Sequence, residues 1–266
     1  MKRYDQPKTL KIAEIRDEGR NLKTFFFAHP IESQPGQFIM LWIPGVNLKP
    51  FGVAYHEPER FGITVSMVGP TTEALFKKKK GDWLGFTGPY GTSFQPNNAQ
   101  HLVLVGGGYG AAILAPLADK AAAEGATVDF IVGAHEGDRI LYEQRYAKSS
   151  VNFYVTTNDG SRGEKGRATN ILERLVDAGG VDYITTCGPE RMLHAIATFA
   201  EEKNIRCEVS VERYMKCGFG VCGACALDGT GERVCVEGTV FPAKRALAFS
   251  EFGQYHRARS GKKIGL

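Results

Sequence analysis

Long apolar runs are missing from this chain of 266 residues. No segment approaches the ~18 consecutive apolar residues that a membrane-spanning helix needs, so an integral helical membrane protein is excluded. The start, Met1-Lys2-Arg3-Tyr4-Asp5-Gln6-Pro7, leads into no apolar stretch, and no secretory leader is expected. Charge of one sign is also scarce: 33 Lys+Arg stand against 29 Asp+Glu, a net +4. A dedicated nucleic-acid binder would gather a larger basic excess on one face. Internal repeats are absent, and the one low-complexity tract, Lys77–Lys80, reads as a solvated turn. Cysteines number only six. Without a leader the expected compartment is the reducing cytoplasm, where thiols bind metal or stay free rather than pair as disulfides.

What is present is unevenly spread. Residues 241–266 hold Lys244, Arg245, Arg257, Arg259, Lys262 and Lys263 against Glu251 alone, a local +5 that leaves the rest of the chain about −1. This basic tail reads as a solvated end, with docking onto an acidic partner as the alternative. Glycine is abundant at 32 residues, as expected of tight turns or of backbone that must approach phosphates closely.

Residues 8–97 read as short strands (Thr9–Ile15, Leu22–Ala28, Gln37–Ile43, Val53–Tyr55, Gly62–Val68, Asp82–Thr87) punctuated by Gly, Pro, Asn and Asp. That spacing suits a small antiparallel barrel with one helix, Thr72–Lys79, N-capped by Thr71 or Thr72. From His101 apolar strand runs alternate with helices: Leu102–Val105, an alanine-rich helix to Glu124, Val128–Val132, Leu141–Ala147, Val151–Thr156, Ala168–Ala178, Tyr183–Thr186 and Pro189–Lys203. Alternation of this kind predicts a parallel sheet with helices on both faces. Pro116 should kink the first of those helices or shift its start. Residues 210–240 are rich in Cys and Gly and too few for a core of their own.

The sharpest chemical signal is Cys217-x4-Cys222-x2-Cys225 followed by Cys235. A 2Fe–2S cluster takes four thiolates, and this is the plant-type ferredoxin order. Gly218, Gly220 and Gly223 fall between the ligands, where backbone must wrap a bulky cluster. The competing reading is a structural zinc held by the same thiolates, although zinc sites usually pair two C-x2-C knuckles and only one exists here. A second signal is the glycine loop Gly106, Gly107, Gly108, Tyr109, Gly110, between a strand and a helix. It can cradle a pyrophosphate or simply make a tight turn. The third, Cys187-Gly188-Pro189, lies at another strand end: its thiol faces a nicotinamide or is a buried small residue. The fourth is Asn158-Asp159-Gly160-Ser161, where Asp159 accepts from a ribose hydroxyl or closes a turn.

Taken together these motifs resemble the electron-transfer subunit of NAD-linked dihydroorotate dehydrogenase, within the ferredoxin–NADP reductase superfamily, over residues 8–243. Pro35-Gly36-Gln37-Phe38 is similar to the family's barrel strand before the flavin. Lys49-Pro50-Phe51-Gly52 falls on its flavin-binding Arg-Pro-x-Ser, and Gly69-Pro70-Thr71-Thr72 on its flavin-pyrophosphate loop. Gly88-Pro89-Tyr90-Gly91 matches the turn that closes the barrel, and Thr157-Asn158-Asp159-Gly160-Ser161 resembles T-x-D-G-S. The glycine loop matches the family's nucleotide loop and Cys187-Gly188-Pro189 its nicotinamide-side motif, and Val211–Gly218 resembles the approach to the cluster. Two positions depart from the pattern: Lys49 stands where the family has arginine, and Gly52 where it has a small hydroxyl residue.

The resemblance implies a multidomain α/β and all-β chain: a flavin-binding antiparallel β-barrel (1–97), a parallel-sheet NAD-binding α/β domain (98–207), a short 2Fe–2S domain (208–243) and the basic tail (244–266). It implies FAD, NAD (with NADP possible if Arg162 or Lys165 reaches a 2′-phosphate) and a 2Fe–2S cluster. It also implies a flavin-containing catalytic dehydrogenase subunit as partner in a hetero-oligomer. The alternatives are the small subunit of an NADPH–ferredoxin oxidoreductase or of a sulfhydrogenase, and, from another class, a non-enzymatic nucleotide-binding regulator with structural zinc. No catalytic acid, base or nucleophile is singled out.

Overall fold

The structure is a computed structural model that describes residues 7–266; Met1–Gln6, read above for a leader, lie outside the described residues. Strands β1 (Lys8–Gly19), β2 (Leu22–Phe27), β3 (Phe38–Ile43), β4 (Asn47–Gly52), β5 (Tyr55–Glu57) and β6 (Arg60–Ser66), helix α1 (Pro70–Phe76) and β7 (Trp83–Tyr90) form the first unit. Its seven strands are ordered β4-β3-β7-β1-β2-β6-β5, all antiparallel, and the sheet curls until β4 approaches β6. Inward-facing Ile12, Phe25, Phe27, Ile39, Leu41, Phe61 and Ile63 fill it, as period-two alternation requires.

β4 was expected only as a binding stretch. Pro50 and Gly52 disguise it, yet both are tolerated because β4 is the edge strand, where a missing N–H leaves no ladder bond unmade. α1 starts two residues earlier than expected. Thr72 is not its cap but its third residue: its hydroxyl accepts from the Val68 and Gly69 N–H groups at 2.9 and 3.1 Å and donates to the Gly69 carbonyl at 2.9 Å.

The second unit runs β8 (His101–Gly107), α2 (Ala111–Ala123), β9 (Thr127–Ala134), α3 (Glu143–Tyr146), β10 (Asn152–Thr157), β11 (Glu164–Lys165), α4 (Ala168–Ala178), β12 (Tyr183–Cys187), α5 (Glu190–Glu202) and β13 (Arg206–Ser210). Its sheet order is β11-β10-β9-β8-β12-β13, all parallel. β8 is buried on both faces, which is why its sequence is a continuous apolar run. Val103 and Val105 meet the α4 and α5 side with Ile171, Leu172 and Ile196. Leu102 and Leu104 meet α2 through Leu114 and Leu117. Pro116 sits inside α2, fully covered, and the helix continues past it. Its missing N–H costs the one bond that the Ala112 carbonyl would accept.

After β13 come α6 (Val234–Glu237), β14 (Val240–Pro242), α7 (Ala243–Leu247), β15 (Tyr255–Arg257) and β16 (Lys263–Gly265). β14 pairs antiparallel with β13, Ser210 opposite Val240, so the expected all-parallel sheet has an antiparallel edge. The cysteine-rich segment is thus an excursion between neighbouring strands of one sheet. The tail is not a solvated end: β15 and β16 form a hairpin folded back onto the chain. Among the described residues no helix is long and apolar enough to cross a membrane.

Candidate functional site

The strand order reverses between β8 and β12, and the crevice at such a reversal is where open α/β sheets bind ligands. The glycine loop and Cys187-Gly188-Pro189 face each other at its rim. Their glycines are explained first by packing. A Cβ on Gly110 would lie 2.4 Å from the Cys187 carbonyl oxygen, one on Gly188 2.8 Å from the Gly107 Cα, and one on Gly107 2.5 Å from the Pro189 ring. A Cβ on Gly106 would lie 2.6 Å from the Ala111 Cα. Gly108 differs: its φ of +55° favours glycine and the space beyond it is open.

Against this crevice lies a cavity of about 550 Å³. Of the residues singled out from sequence, Lys49, Pro50, Phe51, Gly52, Gly69, Thr71, Thr72, Gly110 and Cys187 line it. Gly106, Gly107, Gly108, Gly188 and Pro189 do not line it. Asp159 lies away from it in a turn, where its carboxylate accepts from the Ser161 N–H and hydroxyl at 2.9 and 2.7 Å. These bonds hold the Asp159 carboxyl below its usual range. Gly52 is small for a visible reason: a Cβ there would meet the Ile113 side chain at 3.0 Å. Lys49 rests its ammonium 4.1 Å from the centre of the Tyr214 ring.

Sequence reasoning missed much of the opposite wall, formed by Val211, Glu212, Arg213, Tyr214 and Met215 with Tyr109 and Arg259. In sequence, Val211–Gly218 resembles only the approach to the cysteines, and its place in this wall depends on the fold. The Tyr109 hydroxyl donates to Glu212 at 3.2 Å, and the charge of Glu212, with burial, raises the Tyr109 phenol far above its ordinary value. Burial, reinforced by the same carboxylate, raises the Cys187 thiol as well, so that side chain is an uncharged thiol at neutral pH. Arg213 is almost wholly covered. It forks onto Glu190 at 2.7 and 3.0 Å and donates to Glu251 at 2.5 Å.

Two residues beyond Met215 the chain reaches Cys217. This loop packs on the barrel: a Cβ on Gly218 would collide with Met40, and the Phe219 ring lies 6.2 Å from Tyr90. Phe38, in the same barrel sheet and tilted against Tyr90, also lines the cavity. Burial opposes ionisation of Cys217, but the N–H groups of Cys222, Phe219 and Val221 aim at its sulfur and draw the thiol down to about 6. Burial and the neighbouring Cys225 push Cys235 up to about 12.

The thiols fall into two pairs, Cys217 with Cys222 and Cys225 with Cys235. Among the described residues no three His, Cys, Asp or Glu side chains are arranged around one ion position. Two sulfur pairs wrapped by inward-pointing N–H groups are a donor set suited to two bridged irons, two thiolates each. Cys187 and Cys207 are buried elsewhere, in the sheet.

Known proteins resemble this chain over nearly its whole length. Residues 212–246 match the family model of the iron-sulfur cluster binding domain of dihydroorotate dehydrogenase B. The chain is 39% identical over 260 residues to the probable dihydroorotate dehydrogenase B (NAD(+)) electron transfer subunit of Methanocaldococcus jannaschii, covering 98% of this chain and 99% of that one. Its counterpart in Methanothermobacter thermautotrophicus is 40% identical over 262 residues, 97% of each. A solved NADH-dependent reduced ferredoxin–NADP oxidoreductase, studied for flavin-based electron bifurcation, superposes with a TM-score of 0.80 at 29% identity, covering 88% of each chain.

Proposed function

The chain belongs to the family of electron-transfer subunits of NAD-linked dihydroorotate dehydrogenase B, and we propose that it relays electrons from a partner catalytic dehydrogenase subunit through a 2Fe–2S cluster and FAD to NAD. When bound, a nicotinamide carries two electrons as hydride, the cluster carries one, and a flavin couples the two. The observation that carries the reading is the shared wall: residues 211–215 line the cavity, and two residues later the same segment delivers Cys217.

In this reading Cys217, Cys222, Cys225 and Cys235 hold the cluster. Lys49, Pro50, Phe51, Gly52, Gly69, Thr71 and Thr72 hold the flavin from the barrel, residues 1–97. Gly106, Gly107, Gly108, Gly110, Cys187, Gly188 and Pro189, with Asp159 further out, receive the nicotinamide nucleotide on the unit 98–207. Residues 208–243 form the cluster unit. Phe38, Phe51, Ile113 and Met215 give the cavity an apolar face on which a flavin ring can pack. Uncharged Cys187 adds no anion beside the hydride path. The compartment is the reducing cytoplasm.

Protein purified without oxygen is expected to be brown-yellow and to hold about two irons and one flavin per chain. Zinc in place of iron would overturn the assignment. The isolated chain is expected to reduce NAD only with an artificial or partner donor, and dihydroorotate turnover by the chain alone would refute the division of labour.

The likeness to the NADH-dependent reduced ferredoxin–NADP oxidoreductase supports a second reading, in which the same module serves a ferredoxin-linked partner. One feature favours NAD over NADP. Arg162, a cation that could meet a 2′-phosphate, is already forked onto Glu143 at 2.6 and 3.0 Å. NADH is therefore expected to give the higher kcat/KM, and a preference for NADPH would favour the ferredoxin-linked reading.

A further inference from the structure

The C-terminal hairpin has a definite position and no role in the reading above. Asp228, in the excursion between the third and fourth cysteines, clamps it. Its carboxylate accepts from the Tyr255 hydroxyl at 2.8 Å and from Arg257 Nε and Nη2 at 2.9 and 2.8 Å, and Lys263 Nζ lies 3.4 Å away. The turn is closed by the Ala258 N–H to the Lys262 carbonyl and by the Gly261 N–H to the Ala258 carbonyl, both 2.9 Å. Arg257 also donates to the Gly261 carbonyl at 2.6 Å. Gly261 has φ +84° with open space around it, and the C-terminal Leu266 carbonyl accepts from Arg191 at the start of α5. A turn fastened at so many points holds Arg259, its second residue, at the solvent edge of the cavity.

Among the described residues the charged side chains lining the cavity are Lys49, Glu212, Arg213 and Arg259. Arg213 is consumed by Glu190 and Glu251. Lys49 is stacked on Tyr214. Arg259 alone among the lining cations makes no hydrogen bond, ion pair or ring contact with the described residues. A planar guanidinium with all its donors free, lining the same cavity of about 550 Å³ as the α1 loop residues Gly69 and Thr71, is suited to forking onto phosphate oxygens.

We propose that Arg259 is a phosphate-binding residue, presented by the C-terminal hairpin to grip the pyrophosphate of a dinucleotide seated in this cavity. This rests on the reading of the cavity as a dinucleotide site. Two dinucleotides share that chemistry, FAD and NAD. The basic tail then acts as a clasp over the chain's own cofactor or substrate, and the clasp is anchored in the cluster segment.

The test is the binding affinity of the full chain carrying its cluster, measured by fluorescence titration with FAD, FMN and NADH. Arg259→Ala is expected to raise the Kd for FAD about tenfold and that for FMN, which lacks the pyrophosphate, much less. Arg259→Lys should recover part of the loss, since it restores charge without the fork. The gap between wild type and variant should narrow from about 50 to about 500 mM salt. A weakened NADH affinity with FAD unchanged would support the proposal with NAD as the source of the phosphates. FAD and NADH affinities both within twofold of wild type would overturn it. Wild type binding neither dinucleotide would bring down the functional reading and this inference with it, whereas wild type binding both and Arg259→Ala unaffected sinks this inference alone. Because Arg259 lies on an exposed turn, unchanged melting of the variant checks that folding is intact.

Discussion

Replacing Arg213 by methionine should unfold more than it repairs. Its side chain is 4% exposed, and its partners Glu190 and Glu251 are 10% and 1% exposed. Arg213→Met keeps much of the volume but leaves two carboxylates facing one another without a cation. Their remaining donors are single backbone groups, the Gly253 N–H to Glu190 at 3.1 Å and the Asp228 N–H to Glu251 at 2.8 Å. Stranding buried charge in this way costs about 3–5 kcal/mol. For a chain of this size that is a fall in Tm of roughly 6–20 °C. The assay is anaerobic thermal unfolding by circular dichroism at pH 7.5. Arg213→Met/Glu190→Gln/Glu251→Gln, which removes the charges together and keeps the acceptors, should regain at least half of the loss. A deficit under about 1 kcal/mol would refute this account of the triad.

Serine at Cys217, Cys222, Cys225 or Cys235 should lower bound iron, whereas Cys187→Ser and Cys207→Ser should keep it; iron analysis on anaerobic protein decides. Gly110→Ala drives a Cβ into the Cys187 carbonyl and should lose about 1–3 kcal/mol, while Gly108→Ala meets open space and only its positive φ, losing about 1 kcal/mol; urea unfolding ranks the two. Asp228→Asn should free the hairpin, seen as faster tryptic cleavage after Arg259 and Lys262. Arg257, Tyr255 and Lys263 depress the Asp228 carboxyl, so in wild type the clamp is fully present above the ordinary Asp value near ~3.9 and is lost as pH falls below it towards the depressed folded value; amide exchange across the hairpin should be unchanged from about pH 7 to 5 and rise only as pH is taken below about 3.

The parts that sequence made legible are those whose pattern is local. Leu102–Val105 announces a strand covered on both faces, and the cysteine spacing announces its chemistry because the ligands are close in sequence. β4 hid behind Pro50 and Gly52, whose tolerance depends on being at a sheet edge, a property no local window contains. The glycines of Gly106–Gly110 were read for a ligand, yet Gly106, Gly107 and Gly110 are small because protein atoms occupy the space beside them. The hairpin was illegible for the same reason at longer range. Its strands are three residues each, and what holds them is Asp228, some 30 positions earlier. Arg259 therefore looked like one more charge in a basic tail.

Because Ser210 and Val240 are paired neighbours in the nucleotide sheet and the Val211 N–H donates to the Thr239 carbonyl at 2.9 Å, the ends of the cysteine loop are brought together by ladder bonds that iron does not have to make. Closing that loop is work already done by the scaffold. Metal loading then needs only to order a short stretch of backbone, and it can follow the folding of the rest of the polypeptide. Loss of iron, by the same logic, would leave the two larger units standing and loosen only the cysteine segment.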